Sequence, residues 1–219
     1  MAGGMTNASS IKTLFVDIGG VLLSDGWGHA SRTRAAAEFD LDAQEMEERH
    51  HQAFEAFEVG KIDLERYLDL VVFHREREFV RANFREFMFA QSTPFPQTID
   101  LVRSLKAEFG LKVVAVSNEG RELNEHRIRT FRLGGFVDFF VSSCYVRLRK
   151  PDPDIFRLAL DTAQSPSRDV AYLENTPMFV QVASDLGIRG ILHADCETSR
   201  GILASLGLGS GKECSRGDL

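Results

Sequence analysis

Thr13-Leu14-Phe15-Val16-Asp17-Ile18-Gly19-Gly20 is the stretch on which the reading of this 219-residue chain turns. Residues 13–16 form a short apolar run, as in a buried strand, and the run stops at a turn signal carrying two glycines. Four later stretches repeat the form. Residues 112–116 end at Ser117-Asn118, 137–141 at Ser142-Ser143, 170–173 at Glu174-Asn175, and 190–192 near His193-Ala194-Asp195. Between them, residues 98–109 carry Ile99, Val102, Leu105 and Phe109 at helical spacing, and 122–131, 154–163 and 178–186 also read as helices. Gly110 and Gly187 look like helix stops. Strands alternating with helices imply an α/β fold, with a parallel sheet covered on both faces.

Residues 25–91 break this alternation. They are charged, helical in pattern and rich in Phe (Phe39, Phe54, Phe57, Phe73, Phe79, Phe84, Phe87 and Phe89), with no convincing strand. They read as a helical insertion between the first strand and the rest of the core, with the Phe residues packing inside it. The core then comprises 11–24 and 92–206, and the termini 1–10 and 207–219 read as flexible. A net charge of -6 without a compensating basic stripe argues against a nucleic-acid surface. Cys144, Cys196 and Cys214 are widely spaced and odd in number, as expected of reduced thiols. No run approaches the roughly 18 apolar residues of a membrane span, and the first ten residues lack an apolar signal core. A cytoplasmic monomer or homodimer that engages no membrane is the expectation.

Polar clusters follow the strands, and in an open α/β sheet ligands bind outside the strands' carboxyl ends. Asp17 reads as a turn-forming residue or as an exposed carboxylate able to attack an electrophile and bind a cation. Ser117 and Asn118 suit a helix N-cap, and equally a bound phosphate. Lys150, within Arg149-Lys150-Pro151-Asp152-Pro153, is either a solvated loop cation or a charge set against the nucleophile and a phosphoryl group. Glu174 precedes a helix with Pro177 in its first turn, and it is an oxygen ligand of the kind Mg²⁺ takes.

In order, these clusters resemble the haloacid dehalogenase superfamily. Phe15-Val16-Asp17-Ile18-Gly19-Gly20-Val21-Leu22 is similar to its nucleophile loop, and Val113-Val114-Ala115-Val116-Ser117-Asn118 to its strand ending in Ser or Thr. Arg149-Lys150-Pro151-Asp152-Pro153-Asp154-Ile155-Phe156 is close to its Arg-Lys-Pro-Asp-Pro-x-Ile-Phe signature. Tyr172-Leu173-Glu174-Asn175-Thr176-Pro177 resembles its acidic metal loop. The resemblance implies a Rossmann-like core with an α-helical cap. It implies Asp17 as nucleophile, Ser117 and Lys150 as catalytic partners, and a phosphate held by Gly19, Gly20, Ser117, Asn118 and Lys150. It further implies Mg²⁺ held by Asp17, Gly19, Glu174 and Asn175.

Two departures stand out. Gly19 replaces the Asp that handles protons in family phosphatases, although its carbonyl can still reach a metal. Asn175 replaces an acidic metal ligand with a neutral one. Asp25 and His29 lie nearby, His29 reading as an exposed hinge residue; His50 and His51 read as polar helix positions without a role, and Arg147 as a solvated arginine. The expected activity is Mg²⁺-dependent hydrolysis of a small phosphorylated substrate through an aspartyl-phosphate. The alternatives are a metal-independent 2-haloacid dehalogenase, for which Arg32 and Arg34 are halide-binding candidates, and a non-catalytic phosphate- or metabolite-binding protein.

Overall fold

The computed structural model describes residues 11–209. Cys214 and most of the expected flexible termini lie outside that range. The core is a five-stranded sheet, all parallel: β1 (Thr13–Val16), β2 (Lys112–Ser117), β3 (Phe139–Ser142), β4 (Val170–Glu174) and β5 (Arg189–Leu192), in the order β3-β2-β1-β4-β5. Side chains alternate across it, because successive residues of a strand point to opposite faces. Leu14, Val16, Val113, Ala115, Ala171 and Leu173 pack on one face with helices α5 (Pro96–Phe109) and α10 (Cys196–Ser205). Phe15, Val114, Val116, Val170 and Tyr172 pack on the other with α8 (Pro153–Ala163) and α9 (Pro177–Asp185). Both faces are therefore dry, which is why these strands read as near-continuous apolar runs.

Helices α1 (His29–Glu38), α2 (Ala43–Glu58), α3 (Leu64–Val71) and α4 (Arg81–Ala90) follow β1. They enclose a hydrophobic cluster of their own, with Phe57, Tyr67, Phe84 and Met88 buried and Phe39, Phe73, Phe79, Phe87 and Phe89 packed against them. Ring pairs such as Phe39–Phe84 and Phe39–Phe79, 4.9 and 4.6 Å between centroids, knit the cluster. Asp42 and Asp63 start α2 and α3 by accepting the amide hydrogens of Glu45 and Arg66. The chain leaves and rejoins the core side by side: the Ser24 amide donates to the Thr93 carbonyl at 2.8 Å, and the Ser24 hydroxyl to Gln91 O at 2.9 Å.

Three local expectations shift. The third strand starts at Phe139, not 137, because Asp138 instead anchors the β2 start, exchanging bonds with Val113 through its amide and its carboxylate at 2.8 Å each. Helix α10 escaped the sequence reading; Asp195 caps it by accepting the Thr198 amide hydrogen at 2.7 Å. Leu208, assigned to a flexible tail by composition, is 1% exposed and belongs to the sheet core. Cys144 and Cys196 are both buried. Among the described residues no helix is long and apolar enough to cross a membrane.

Phe84 is fully buried among Trp27, Phe39, Phe73 and Phe79. Phe84→Ala is expected to cost about 3–5 kcal/mol, measured by urea unfolding, from lost burial and a residual cavity. A loss below about 1 kcal/mol would mean that the helical cluster is not tightly packed.

Candidate active site

Parallel register brings the carboxyl ends of β2, β1 and β4 to one edge, with Ala115 and Leu173 both opposite Val16. Asp17, Ser117 and Glu174 therefore emerge side by side. Asp17 is 8% exposed. Its Oδ1 accepts the Ile18 amide hydrogen at 2.8 Å, and its Oδ2 lies 3.1 Å from Lys150 Nζ. Burial pushes the Asp17 carboxyl up to about 6, while Lys150 pulls it back toward the ionised form.

Lys150 is fully buried. Its ammonium also donates to Glu174 Oε2 at 2.6 Å and to the Tyr172 hydroxyl at 3.1 Å. The Asn118 amide grips the Lys150 backbone twice: Oδ1 accepts its N–H at 2.8 Å, and Nδ2 donates to its carbonyl at 2.9 Å. Thus Asn118, expected to orient phosphate, has its side chain committed to placing Lys150. Helix α8 begins behind this loop, with Asp152 accepting the Asp154 amide hydrogen.

Glu174, the expected acidic metal ligand, is fully buried. Its Oε2 takes Lys150 and the Tyr172 hydroxyl, and its Oε1 accepts the Thr176 amide hydrogen at 2.9 Å. Asn175 instead lines the cavity and packs over Gly20, whose φ of +73° and closeness to the Asn175 amide exclude a side chain. Among the described residues no group of three His, Cys, Asp or Glu side chains is placed to hold a metal. The donors that remain are the Asp17 carboxylate, the Gly19 carbonyl and the Asn175 amide oxygen. That set fits Mg²⁺ only as an ion that completes its shell with water and substrate oxygens, as Mg²⁺ commonly does.

The cavity over this edge has a volume of about 420 Å³. Its floor includes Asp17, Gly19, Ser117 and Lys150, and its walls come largely from the inserted helices: Trp27, His29, Arg32, His50, Phe54 and Phe57. Helix α6 (Arg121–Thr130) starts beside it, capped by Gly120 rather than by Ser117 or Asn118. Glycine is required there, since a Cβ would meet the Phe57 ring at 2.0 Å.

The other sequence candidates sort clearly. Arg32 reaches the cavity, but its guanidinium is clamped by both Glu47 oxygens at 2.7 Å and by the Trp27 carbonyl. Arg34 lies outside, bonded to Gln91. Arg147 is exposed, as expected of a solvated arginine, and it also donates to the Val59 carbonyl at 2.8 Å, from a left-handed backbone. His29 is 76% exposed at the cavity mouth, 3.4 Å from Glu47. His51 is exposed, but His50 is a wall of the cavity and its Nδ1 lies 2.7 Å from the Tyr67 hydroxyl. The Trp27 indole donates to that same hydroxyl at 2.9 Å, leaving the phenolic hydrogen for His50 Nδ1. Two buried residues escaped the sequence reading altogether, Glu119 and Arg127, joined carboxylate to guanidinium. A charged pair one helical stretch apart, following the Ser-Asn cluster, was the only available signal.

A family model described as haloacid dehalogenase-like hydrolase matches residues 11–187. The chain is 37% identical to the bifunctional epoxide hydrolase 2 of Sus scrofa over 62 residues, which are 28% of this chain and 11% of that protein. It is similar in fold to a HAD family enzyme from Bacteroides thetaiotaomicron in complex with magnesium and inorganic phosphate (TM-score 0.67, 20% identity, 83% of this chain and 93% of that one). It is also similar to the L-2-haloacid dehalogenase of Xanthobacter autotrophicus with chloropropionic acid covalently bound (TM-score 0.58, 16% identity, 81% and 75%).

Burial, and then the Arg32 charge, lower His50 from the usual 6.5 to about 3. Between those values the unfolded chain binds the proton and the folded one does not, so stability falls as pH drops through that window. The melting temperature is expected to fall less steeply from pH 6.5 to 4 in His50→Gln than in the wild type. Equal slopes would show that His50 does not stay neutral in the fold.

Proposed function

Because the chain belongs to the haloacid dehalogenase-like hydrolases, we propose that it hydrolyses phosphate monoesters of small molecules through an aspartyl-phosphate on Asp17. The observation that carries this reading is the Asp17 carboxylate at the mouth of the central strand, ion-paired to a buried lysine and open to a cavity of metabolite size. The pairing to Lys150 favours the ionised, nucleophilic form of a carboxylate that burial alone would protonate.

In the first half-reaction an Asp17 oxygen attacks phosphorus and the ester oxygen leaves. Lys150, held by Glu174, Tyr172 and the Asn118 amide, opposes the charge that accumulates at the attacked group. Ser117, 2% exposed at the end of β2, supplies a hydroxyl to a phosphoryl oxygen. In the second half-reaction water attacks the aspartyl-phosphate and restores Asp17. The inserted helices close over this edge and select the ester's organic group with Trp27, His50, Phe54 and Phe57. Mg²⁺, when bound by Asp17, Gly19 and Asn175, would neutralise phosphoryl charge and orient its oxygens. The fold neighbour that carries magnesium and inorganic phosphate supports this reading.

Dehalogenation is the second reading, favoured by one observation: both Glu174 carboxylate oxygens are engaged, by Lys150, Tyr172 and the Thr176 amide. Against it, three of the five Arg32 N–H groups are already held by Glu47 and Trp27, and Arg34 lies outside the cavity, bonded to Gln91.

Asp17→Asn is expected to lower Mg²⁺-supported phosphate release from an aryl phosphate by at least about 10³-fold, measured on a panel of phosphorylated metabolites as well. Turnover indifferent to that change, or chloride release from 2-chloropropionate in the presence of a chelator, would overturn the reading. Asn175→Asp adds a carboxylate where the cavity has a neutral amide. It is expected to lower the Mg²⁺ concentration for half-maximal activity about tenfold, read from a metal titration at saturating substrate; an unchanged midpoint would remove Asn175 from the metal shell.

A further inference from the structure

A phosphatase with glycine at position 19 still has to move a proton twice, once onto the departing alkoxide and once off the attacking water. The surroundings of Gly19 show what lies within reach. A Cβ built there would stand 3.6 Å from Arg127 Nη1 and 3.7 Å from Asp25 Cα, in ordinary van der Waals space. That same Nη1 carries the Glu119 carboxylate, through Oε2. The remaining guanidinium nitrogens are fixed as well: Nε donates to Ser92 Oγ at 3.0 Å, and Nη2 to the Ser24 carbonyl at 2.9 Å. Arg127 is 1% exposed and cannot swing away. The Glu119 amide donates to Ser143 Oγ at 3.0 Å, which pins its backbone too. Glu119 and Asp17 line the same cavity.

We infer that Glu119, held by Arg127 beside Gly19, is the catalytic acid and base of this site, supplying from the loop after β2 the carboxyl group that the loop after β1 lacks. The inference rests on the phosphatase reading and extends it. In the first step the Asp17 oxygen–phosphorus bond forms and the phosphorus–ester oxygen bond breaks, while the neutral Glu119 carboxyl gives its proton to the departing oxygen. The products are an alcohol, aspartyl-phosphate and the Glu119 carboxylate. In the second step that carboxylate takes one proton from water as the water oxygen bonds to phosphorus and displaces Asp17. Hydrogen phosphate leaves, and both carboxyl groups return to their starting states.

The electrostatic setting suits a group that must hold and release a proton near neutrality. Burial raises the Glu119 carboxyl to about 7; Arg127 on α6 opposes that rise, and Glu58 on α2 and Asp17 after β1 add to it. Cys144, on the short helix after β3, is itself held as a thiol by burial and adds no charge. Asp25, the competing carboxylate, is exposed, and its Oδ1 lies 4.0 Å from the Cβ position of Gly19.

The test compares wild type, Glu119→Gln, Asp25→Asn and Glu119→Gln combined with Gly19→Asp, on p-nitrophenyl phosphate and butyl phosphate with Mg²⁺. Glu119→Gln keeps an oxygen for Arg127, and thermal melts establish that each variant folds. Nitrophenolate needs no proton to leave, so Glu119→Gln is expected to give a burst of one nitrophenolate per enzyme and then slow turnover. On butyl phosphate it is expected to lose about 10²–10⁴-fold. Gly19→Asp, whose Cβ would make only ordinary contacts, is expected to restore turnover in the Glu119→Gln background. Equal losses on both substrates without a burst would reduce Glu119 to a structural partner of Arg127. The same signature in Asp25→Asn, with Glu119→Gln active, would give the role to Asp25. Either result leaves the phosphatase reading standing as long as Asp17→Asn is inactive; a wild type indifferent to Asp17→Asn overturns both.

Discussion

Lys150 has no exposure, and its ammonium sits among two carboxylates and a phenol: Asp17, Glu174 and the Tyr172 hydroxyl. A single buried ammonium would be costly, and so would two buried carboxylates. Together they form a set in which each charge offsets the burial of another. Breaking it by removing one member would strand the rest, which is why such groups tend to cost several kcal/mol when truncated. The site's geometry follows from this constraint. Glu174 holds the lysine from behind, Asn118 fixes its backbone, and Asp17 and Lys150 both line the cavity.

Glu174 is thereby withdrawn from the cavity. Within the fold this residue of the acidic loop is a counter-charge to Lys150. The oxygen donors left at the surface are fewer and less negative, so the balance of charge at the site leans on Lys150. The second buried charge pair, Glu119 with Arg127, has a different task. Arg127 bonds Ser24 and Ser92, which flank the two chain crossings between the sheet and the inserted helices. It thus ties the chain crossings under the helical roof to the Glu119 carboxylate.

The roof itself is held by contacts that reach into the site. Phe57 packs on Gly120 at the start of α6, and Arg149, next to Lys150, bonds Glu58 at 2.9 Å. The Arg32–Glu47 clamp and the Trp27–Tyr67–His50 chain set the polar features of the opposite wall. The cavity walls are accordingly drawn from α1 and α2 and the segment before them, whereas Asp17 and Ser117 on its floor come from the strand ends.

Much of this was legible in the order of residues. Apolar runs ending in Asp17, Ser117 and Glu174, with helical spacing between them, determined a parallel α/β sheet and the edge where chemistry gathers, because side-chain period and strand termination are local properties of the chain. The insertion was visible as an absence of strand pattern. What only the tertiary structure decided was partnership. Nothing in the spacing tells that Glu174 faces Lys150 rather than the cavity, that Asn118 binds backbone, or that His50 rather than His51 forms a wall. Arg127 and Glu119 look like surface charges on a polar helix and loop until folding buries them together. Those outcomes depend on which groups share a low-dielectric interior, a property set by packing between segments far apart in the chain and absent from any one of them.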